Sequence, residues 1–134
     1  MIMKFRVTVE ELTFDDIETI LAGGLTPSEN FKVDVCASNY DNYYNEKYQD
    51  NPDDTTFEGV LTSMLLDNKP IKILDIGGFC VKNCELTLQK LKEAFNICLE
   101  KDSKTFANIV TENYDYNDMD ILLQFAILGE VVYG

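Results

Sequence analysis

The sequence contains no histidine, and this absence excludes whole classes of chemistry. Without histidine, neither a Ser-His-Asp or Cys-His nucleophile nor a histidine-ligated metal is possible. Phosphate-binding glycine motifs are also missing, because Gly23-Gly24 and Gly77-Gly78 are not followed by phosphate-binding residues. We therefore expect a protein that is not an enzyme and that needs no cofactor.

Long apolar runs are absent as well. No stretch approaches the roughly 20 apolar residues that a membrane-spanning helix needs. The N-terminal stretch MIMKFRVTVEE alternates between apolar and polar residues and lacks the long apolar segment of a signal peptide. From these two absences we expect a cytoplasmic protein with no membrane partner.

Cysteine is present, but not in a pattern that holds zinc. Of the four cysteines, only Cys80 and Cys84 lie close together in sequence, whereas Cys36 and Cys98 lack paired spacing. A tetrahedral site would need two more ligands, and no histidine is available to supply them. Because cytosolic thiols stay reduced, we predict four free thiols and no metal site.

Basic residues are scarce: 11 stand against 24 acidic residues, which gives a net charge of −13. Residues 39–54 contain five acids and one base, and residues 105–134 contain five acids and no base. Such a field repels nucleic acid and anionic membranes and attracts basic proteins, although it also favours plain solubility. We expect no direct contact with nucleic acid.

The first helix has a clear beginning in the sequence. Thr13 with Asp16 three residues later forms a near capping box, and Asp15 adds favourable charge in the first turn. Gly23-Gly24 should end this helix as a C-cap. A turn should follow at Thr26-Pro27-Ser28.

Further helices show apolar residues at helical spacing. The last one is apolar nearly all round, so it should be the most buried, and Gly129 should end it. A short helical turn is expected at Phe106, Ile109 and Val110. The longer helices are 57–65 after Thr55 or Thr56, 88–100 after Thr87, and one that ends at Leu128 after Asp115 or Asn117.

Period-two alternation predicts several short strands, two of them joined in a hairpin at Gly77-Gly78. The predicted strands are 3–9, 31–37, 71–75, 79–86 and 130–133. Helices and strands mix without strict β-α-β alternation. We therefore predict a single α+β domain over residues 1–134, with a mostly antiparallel sheet of about three to five strands and three or four packed helices.

The stretch Asn39–Asp54, NYDNYYNEKYQDNPDD, has no clean period. Its composition predicts a loop or irregular structure with at most one turn of helix. Tyrosines with carboxylates suit a protein interface that attracts lysines and arginines, although a solvated loop whose tyrosines lean on the domain is the alternative. The predicted partner-binding residues, here and in a similar segment near the C-terminus, are Asp41, Tyr43, Tyr44, Glu46, Tyr48, Asp50, Asp53, Asp54, Asp115, Asp118 and Asp120.

Three motifs resemble a family of small acidic uncharacterised proteins encoded on phages, plasmids and integrative elements of Firmicutes. The ending QFAILGEVVYG, Gln124 to Gly134, is the strongest match. CELTLQKLKEAF is similar to the family's helix start, with Cys84 where tryptophan is usual, and DDIETILAGGL is similar to a third segment that is shortened here. Residues 39–54 depart most from the family pattern. The resemblance implies a mobile-element origin in a bacterial host cell, but no established activity.

Small acidic proteins of such elements often inhibit host defence by binding nucleases, including CRISPR and restriction enzymes. The resemblance and the charge together favour a non-enzymatic inhibitor or adaptor that binds a basic, nucleic-acid-handling protein as a nucleic-acid mimic. One alternative is a structural or regulatory homo-oligomer, such as a homodimer, in which the tyrosine segment packs between subunits. Another is a sponge for a signalling nucleotide, held by backbone amides at the glycine pairs.

Overall fold

A computed structural model describes residues 12–50 and 55–134. The predicted strand 3–9 lies outside these residues, as do Asp53 and Asp54. The described chain confirms the α+β class, with helices dominating and a three-stranded antiparallel sheet. Its elements are α1 Phe14–Ile20, a π-helical segment Leu21–Leu25, β1 Phe31–Val33, α2 Tyr40–Tyr48, α3 Phe57–Leu66, β2 Ile71–Asp75, β3 Glu85–Leu86, α4 Leu88–Lys101, α5 Ser103–Val110 and α6 Tyr116–Leu128.

The capping box of α1 is confirmed. The Thr13 hydroxyl accepts from the Asp16 amide, and the Asp16 carboxylate accepts from the Thr13 amide, both at 3.1 Å. The prediction that Gly23-Gly24 ends this helix is wrong, because the helix continues past both residues. It widens into the π-helical segment, whose wider turn closes with the Thr26 amide donating to the Leu21 carbonyl at 3.0 Å.

Position 24 requires glycine because two backbones approach closely there. It is buried against the first turns of α6, where a Cβ atom would lie only 2.8 Å from the Met119 carbonyl oxygen. The glycine therefore lets the π-helical segment pack directly on α6, and it does not cap α1.

The sheet has the order β1-β2-β3 and is antiparallel throughout, with Phe31 opposite Asp75 and Ile71 opposite Leu86. Two strands are shorter than predicted. The strand predicted over 31–37 ends at Val33, because the Asp34 carboxylate accepts from the Ala37 amide at 3.1 Å and turns the chain. The strand predicted over 79–86 is reduced to β3, because the Cys80 amide donates to the Asp75 carboxylate at 2.8 Å.

The remaining helix boundaries follow the predicted caps. Thr56, Thr87 and Asp115 each accept a hydrogen bond from a backbone amide in the first turn of α3, α4 and α6. The predicted single turn at Phe106 is an eight-residue helix, α5. No helix in the described ranges combines the length and the apolarity needed to cross a membrane.

Helix α6 is the most buried helix, as predicted, and Gly129 ends it with a φ of 79°. It packs against α4, α5 and the π-helical segment, and α1 packs on α3. The predicted strand 130–133 is absent from the sheet. The backbone amides of Val132 and Tyr133 instead donate to the side-chain oxygen of Gln124, both at 2.8 Å.

Candidate functional site

The tyrosine-rich segment is a helix, so the prediction of a loop is wrong for residues 40–48. The deciding pattern is the spacing of Tyr40, Tyr44 and Tyr48, which are four residues apart and therefore share one helical face. Tyr43 adds to the same face. This spacing is present in the sequence, but the residues between the tyrosines include Asp41, Asn42 and Asn45, which are of types that favour turns and loops.

The three tyrosines form a ladder along α2. The ring centroids of Tyr40 and Tyr44 are 6.3 Å apart, and those of Tyr44 and Tyr48 are 6.1 Å apart, with the rings nearly parallel in both pairs. Tyr40 also contacts Phe57 at the start of α3, with 5.2 Å between centroids. All three tyrosines are half-buried, so the ladder is a contact within the fold.

Two hydroxyl groups fix α2 on the C-terminal half of α3. The buried Tyr43 donates to the carboxylate of Asp67 at 2.7 Å, and Lys47 lies 3.2 Å from the same carboxylate. Tyr48 exchanges a short hydrogen bond with the Ser63 hydroxyl. Burial, followed by the bond to Asp67, raises the pKa of Tyr43 far above its ordinary value. The hydroxyl therefore stays protonated and donates.

Replacing Tyr43 with phenylalanine is expected to lower the free energy of unfolding by about 1 kcal/mol at neutral pH, because one hydrogen bond to a half-exposed carboxylate is lost. The hydrogen bond from Tyr43, followed by that from Lys47, lowers the pKa of Asp67 below its ordinary 3.8. A carboxyl with a depressed folded-state pKa contributes stability above its unfolded pKa, and loses it as the pH falls through the folded pKa.

The difference in free energy of unfolding between wild type and Tyr43→Phe should therefore become smaller when urea denaturation is repeated below pH 3.8. Tyr114→Phe is the matched control, because it removes a hydroxyl group from an exposed ring outside α2. An equal loss of unfolding free energy in both variants at neutral pH would show that the hydrogen bond to Asp67 does not hold α2 on α3.

The outer face of α2 is polar and acidic. Because each residue turns a helix by about 100°, the side chains opposite the tyrosine face point to solvent. Asp41, Asn45 and Glu46 are exposed in the helix, and Asp50 is exposed just after it. Lys47 is the one basic residue of α2, and it is paired with Asp67. The outward charge of α2 is therefore negative.

The second predicted group of acids has a structural role at the start of α6. Asp115 and Asp118 form the capping box of that helix, and Asp118 is buried and also accepts from Asn108 at 3.3 Å. The Asp120 carboxylate accepts a hydrogen bond from the side-chain amide nitrogen of Gln124 at 2.9 Å. The start of α6 packs on α5 and the π-helical segment, whereas α2 packs on α3, so the two predicted groups belong to different parts of the fold.

The two buried thiols, of Cys84 and Cys98, offer little reactivity. All four cysteines are free, and burial raises the pKa of Cys84 and of Cys98 to about 12. Thiols with such pKa values stay protonated and are poor nucleophiles. Across residues 12–50 and 55–134, no cluster of three or more cysteine, aspartate or glutamate side chains is arranged to hold a metal ion.

The glycine pairs are already engaged by other parts of the protein. The Gly77 amide donates to the Asp75 carboxylate and the Gly78 amide to the Asp75 carbonyl, both at 3.1 Å. Gly24 is buried against the backbone of α6. These contacts weaken the alternative in which the glycine amides hold a nucleotide.

Comparison with known proteins finds no matching family model, no similar curated protein and no similar solved structure. The resemblance to mobile-element proteins therefore stays a prediction. Function must be argued from the residues themselves, and the outer face of α2 is the strongest candidate site.

Proposed function

We propose that this protein is a non-enzymatic inhibitor or adaptor that binds a basic, nucleic-acid-handling protein of its host cell through the outer face of α2. One observation carries the proposal: every tyrosine of α2 faces the fold, while Asp41, Glu46 and Asp50 face solvent. A helix held in this way presents carboxylates at fixed positions, which lowers the entropy lost on binding.

Two of these acids lie in α2 itself, and the third follows its end. A helix rises about 1.5 Å and turns about 100° per residue, so Asp41 and Glu46 lie about 7.5 Å apart along the axis and about 140° apart around it. Both residues are exposed on the side of α2 that faces solvent, and Asp50 is exposed just after the helix. Lysines and arginines that hold a nucleic-acid backbone could therefore pair with these carboxylates, and the net charge of −13 would speed the encounter.

The test is displacement of labelled DNA from purified CRISPR and restriction nucleases, the first candidate partners. A variant with Asp41→Asn, Glu46→Gln and Asp50→Asn should displace DNA about ten- to a hundredfold less effectively than wild type in low salt, because three charge pairs are lost. Its displacement should also depend less steeply on salt concentration.

A matched variant separates the α2 face from bulk charge. Glu29→Gln, Glu100→Gln and Glu130→Gln remove the same number of charges from exposed positions outside α2. This control should displace DNA nearly as well as wild type. Equal losses in both variants would reject a specific α2 face in favour of bulk charge. If the α2 variant displaced DNA as well as wild type, the binding site would lie outside this face of α2.

A further inference from the structure

We propose a second binding site, separate from α2, that takes a short cationic peptide segment of a partner protein with one large apolar side chain. The site is a groove of about 320 Å³ formed by α1, α4, α5, the turn after α5 and the start of α6. No residue of α2 is among the described residues that line this groove, so the groove is separate from the site of the proposed function.

The floor of the groove is apolar. Leu12, Ile20, Phe95, Ile109 and Met119 line it with buried or nearly buried side chains. At its edge, two hydrophobic side chains are exposed: Val110 is 52% exposed and Tyr114 is 38% exposed. A volume of about 320 Å³ is at the lower end of the range for ligand sites. It suits one large side chain better than an entire folded domain.

The rim of the groove is acidic. Asp16 and Glu112 line it, and no basic side chain is among the described residues that do so. Two exposed acids are next to lining residues in the chain: Asp15 precedes Asp16, and Asp115 follows Tyr114. An apolar floor with an acidic rim complements an apolar side chain flanked by lysine or arginine, whereas anionic ligands such as nucleotides, nucleic acid or lipid headgroups would be repelled.

The rim is held in place before anything binds. Glu112 adopts a φ of 62°, and its amide donates to the Ile109 carbonyl at 3.2 Å. The next amide, of Asn113, donates to the Asn108 carbonyl at 2.8 Å. Asp16 is fixed by the capping box with Thr13. The Asp16 carboxylate and the backbone that carries Glu112 are therefore preorganised, so less freedom is lost when a cation binds between them.

The probe is a fluorescein-labelled synthetic peptide with a central phenylalanine flanked by lysines, and binding to the full chain is followed by fluorescence anisotropy. We expect a dissociation constant of the order of 10 µM in low salt, weakening at least severalfold at physiological salt. Peptides in which phenylalanine becomes serine, or the lysines become glutamates, should each bind about tenfold or more weakly.

Variants of the protein locate the site. Glu112→Gln should weaken binding about three- to fivefold, and Val110→Ser by a similar factor, because each changes one part of the groove. Both positions are exposed, so folding should be unaffected, and circular dichroism will check this. Glu100→Gln, an exposed acid on α4 that does not line the groove, is the matched control and should change affinity less than twofold.

The proposal is overturned if the phenylalanine and serine peptides bind alike, since that result would indicate charge attraction alone. Equal effects of Glu112→Gln and Glu100→Gln would also overturn it, as would the absence of binding. The variant with Asp41, Glu46 and Asp50 neutralised should retain peptide binding, so failure of the α2 proposal and failure of the groove can be told apart.

Discussion

Replacing Gln124 with methionine is expected to lower the free energy of unfolding by about 2–4 kcal/mol, because several buried polar groups lose their partners at once. Gln124 is fully buried. Its side-chain oxygen accepts from the amides of Val132 and Tyr133, and its nitrogen donates to Asp120 at 2.9 Å and to the Tyr133 carbonyl at 3.0 Å. All four hydrogen bonds of the side-chain amide are thereby made.

The effect should reach beyond α6, because Gln124 holds Val132 and Tyr133 in place. The hydroxyl of Tyr133 donates to Asp75 at 2.5 Å, and Asp75 also accepts from the Cys80 amide at the turn between β2 and β3. Burial raises the pKa of Asp75, but the hydrogen bonds from Tyr133 and three backbone amides outweigh it and leave the pKa lowered. Loss of Gln124 would therefore loosen this turn as well.

Chemical denaturation measures the loss, and Asp120→Asn is the control, because it keeps the contacts of Gln124 with residues 132 and 133. The control should cost no more than about 1 kcal/mol. Hydrogen exchange at residues 130–134 should accelerate in the methionine variant. A loss no larger than that of the control would mean that water satisfies the freed backbone groups without cost.

Replacing Gly24 with alanine is expected to destabilise the protein by about 2–3 kcal/mol, although alanine favours helices over glycine by about 1 kcal/mol. A Cβ atom at this position would lie 2.8 Å from the Met119 carbonyl oxygen and 3.0 Å from its carbonyl carbon. These are backbone atoms of α6 and cannot rotate away. The π-helical segment and α6 would have to separate.

Gly23 provides a matched comparison one residue earlier. A Cβ atom there would meet only the Met119 side chain, at 3.2 Å from its Cγ atom, and that flexible chain can adjust. Thermal unfolding of Gly23→Ala should show a change below about 1 kcal/mol in either direction, since the helix preference offsets the contact. A larger loss for Gly23→Ala than for Gly24→Ala would contradict the packing described for these elements.

Much of the fold was predictable where the signal is local. Capping side chains such as Thr13, Thr56, Thr87 and Asp115 act within one helical turn, so sequence spacing is enough to recognise them. The left-handed residue Gly129 is equally local. The apolar faces of α3, α4 and α6 also lie at helical spacing, which made their burial predictable.

The errors arose where distant residues decide the structure. The end of α1 depends on the backbone of α6 at Met119, and the last residues depend on Gln124 instead of a neighbouring strand. Helix α2 has weak intrinsic preference, and its tyrosines gain their stability from Phe57, Ser63 and Asp67. For the candidate site, the sequence predicted a binding surface of tyrosines and acids together, but not that the tyrosines face the fold while the acids face solvent.

Hydrogen–deuterium exchange on a complex with a captured nuclease tests the central proposal most directly. If the outer face of α2 binds the partner, amides within residues 40–50 should exchange at least about tenfold more slowly in the complex than in the free protein. The protection should disappear with the variant in which Asp41, Glu46 and Asp50 are neutralised. Unchanged exchange in residues 40–50, with protection confined to other elements, would contradict the proposal.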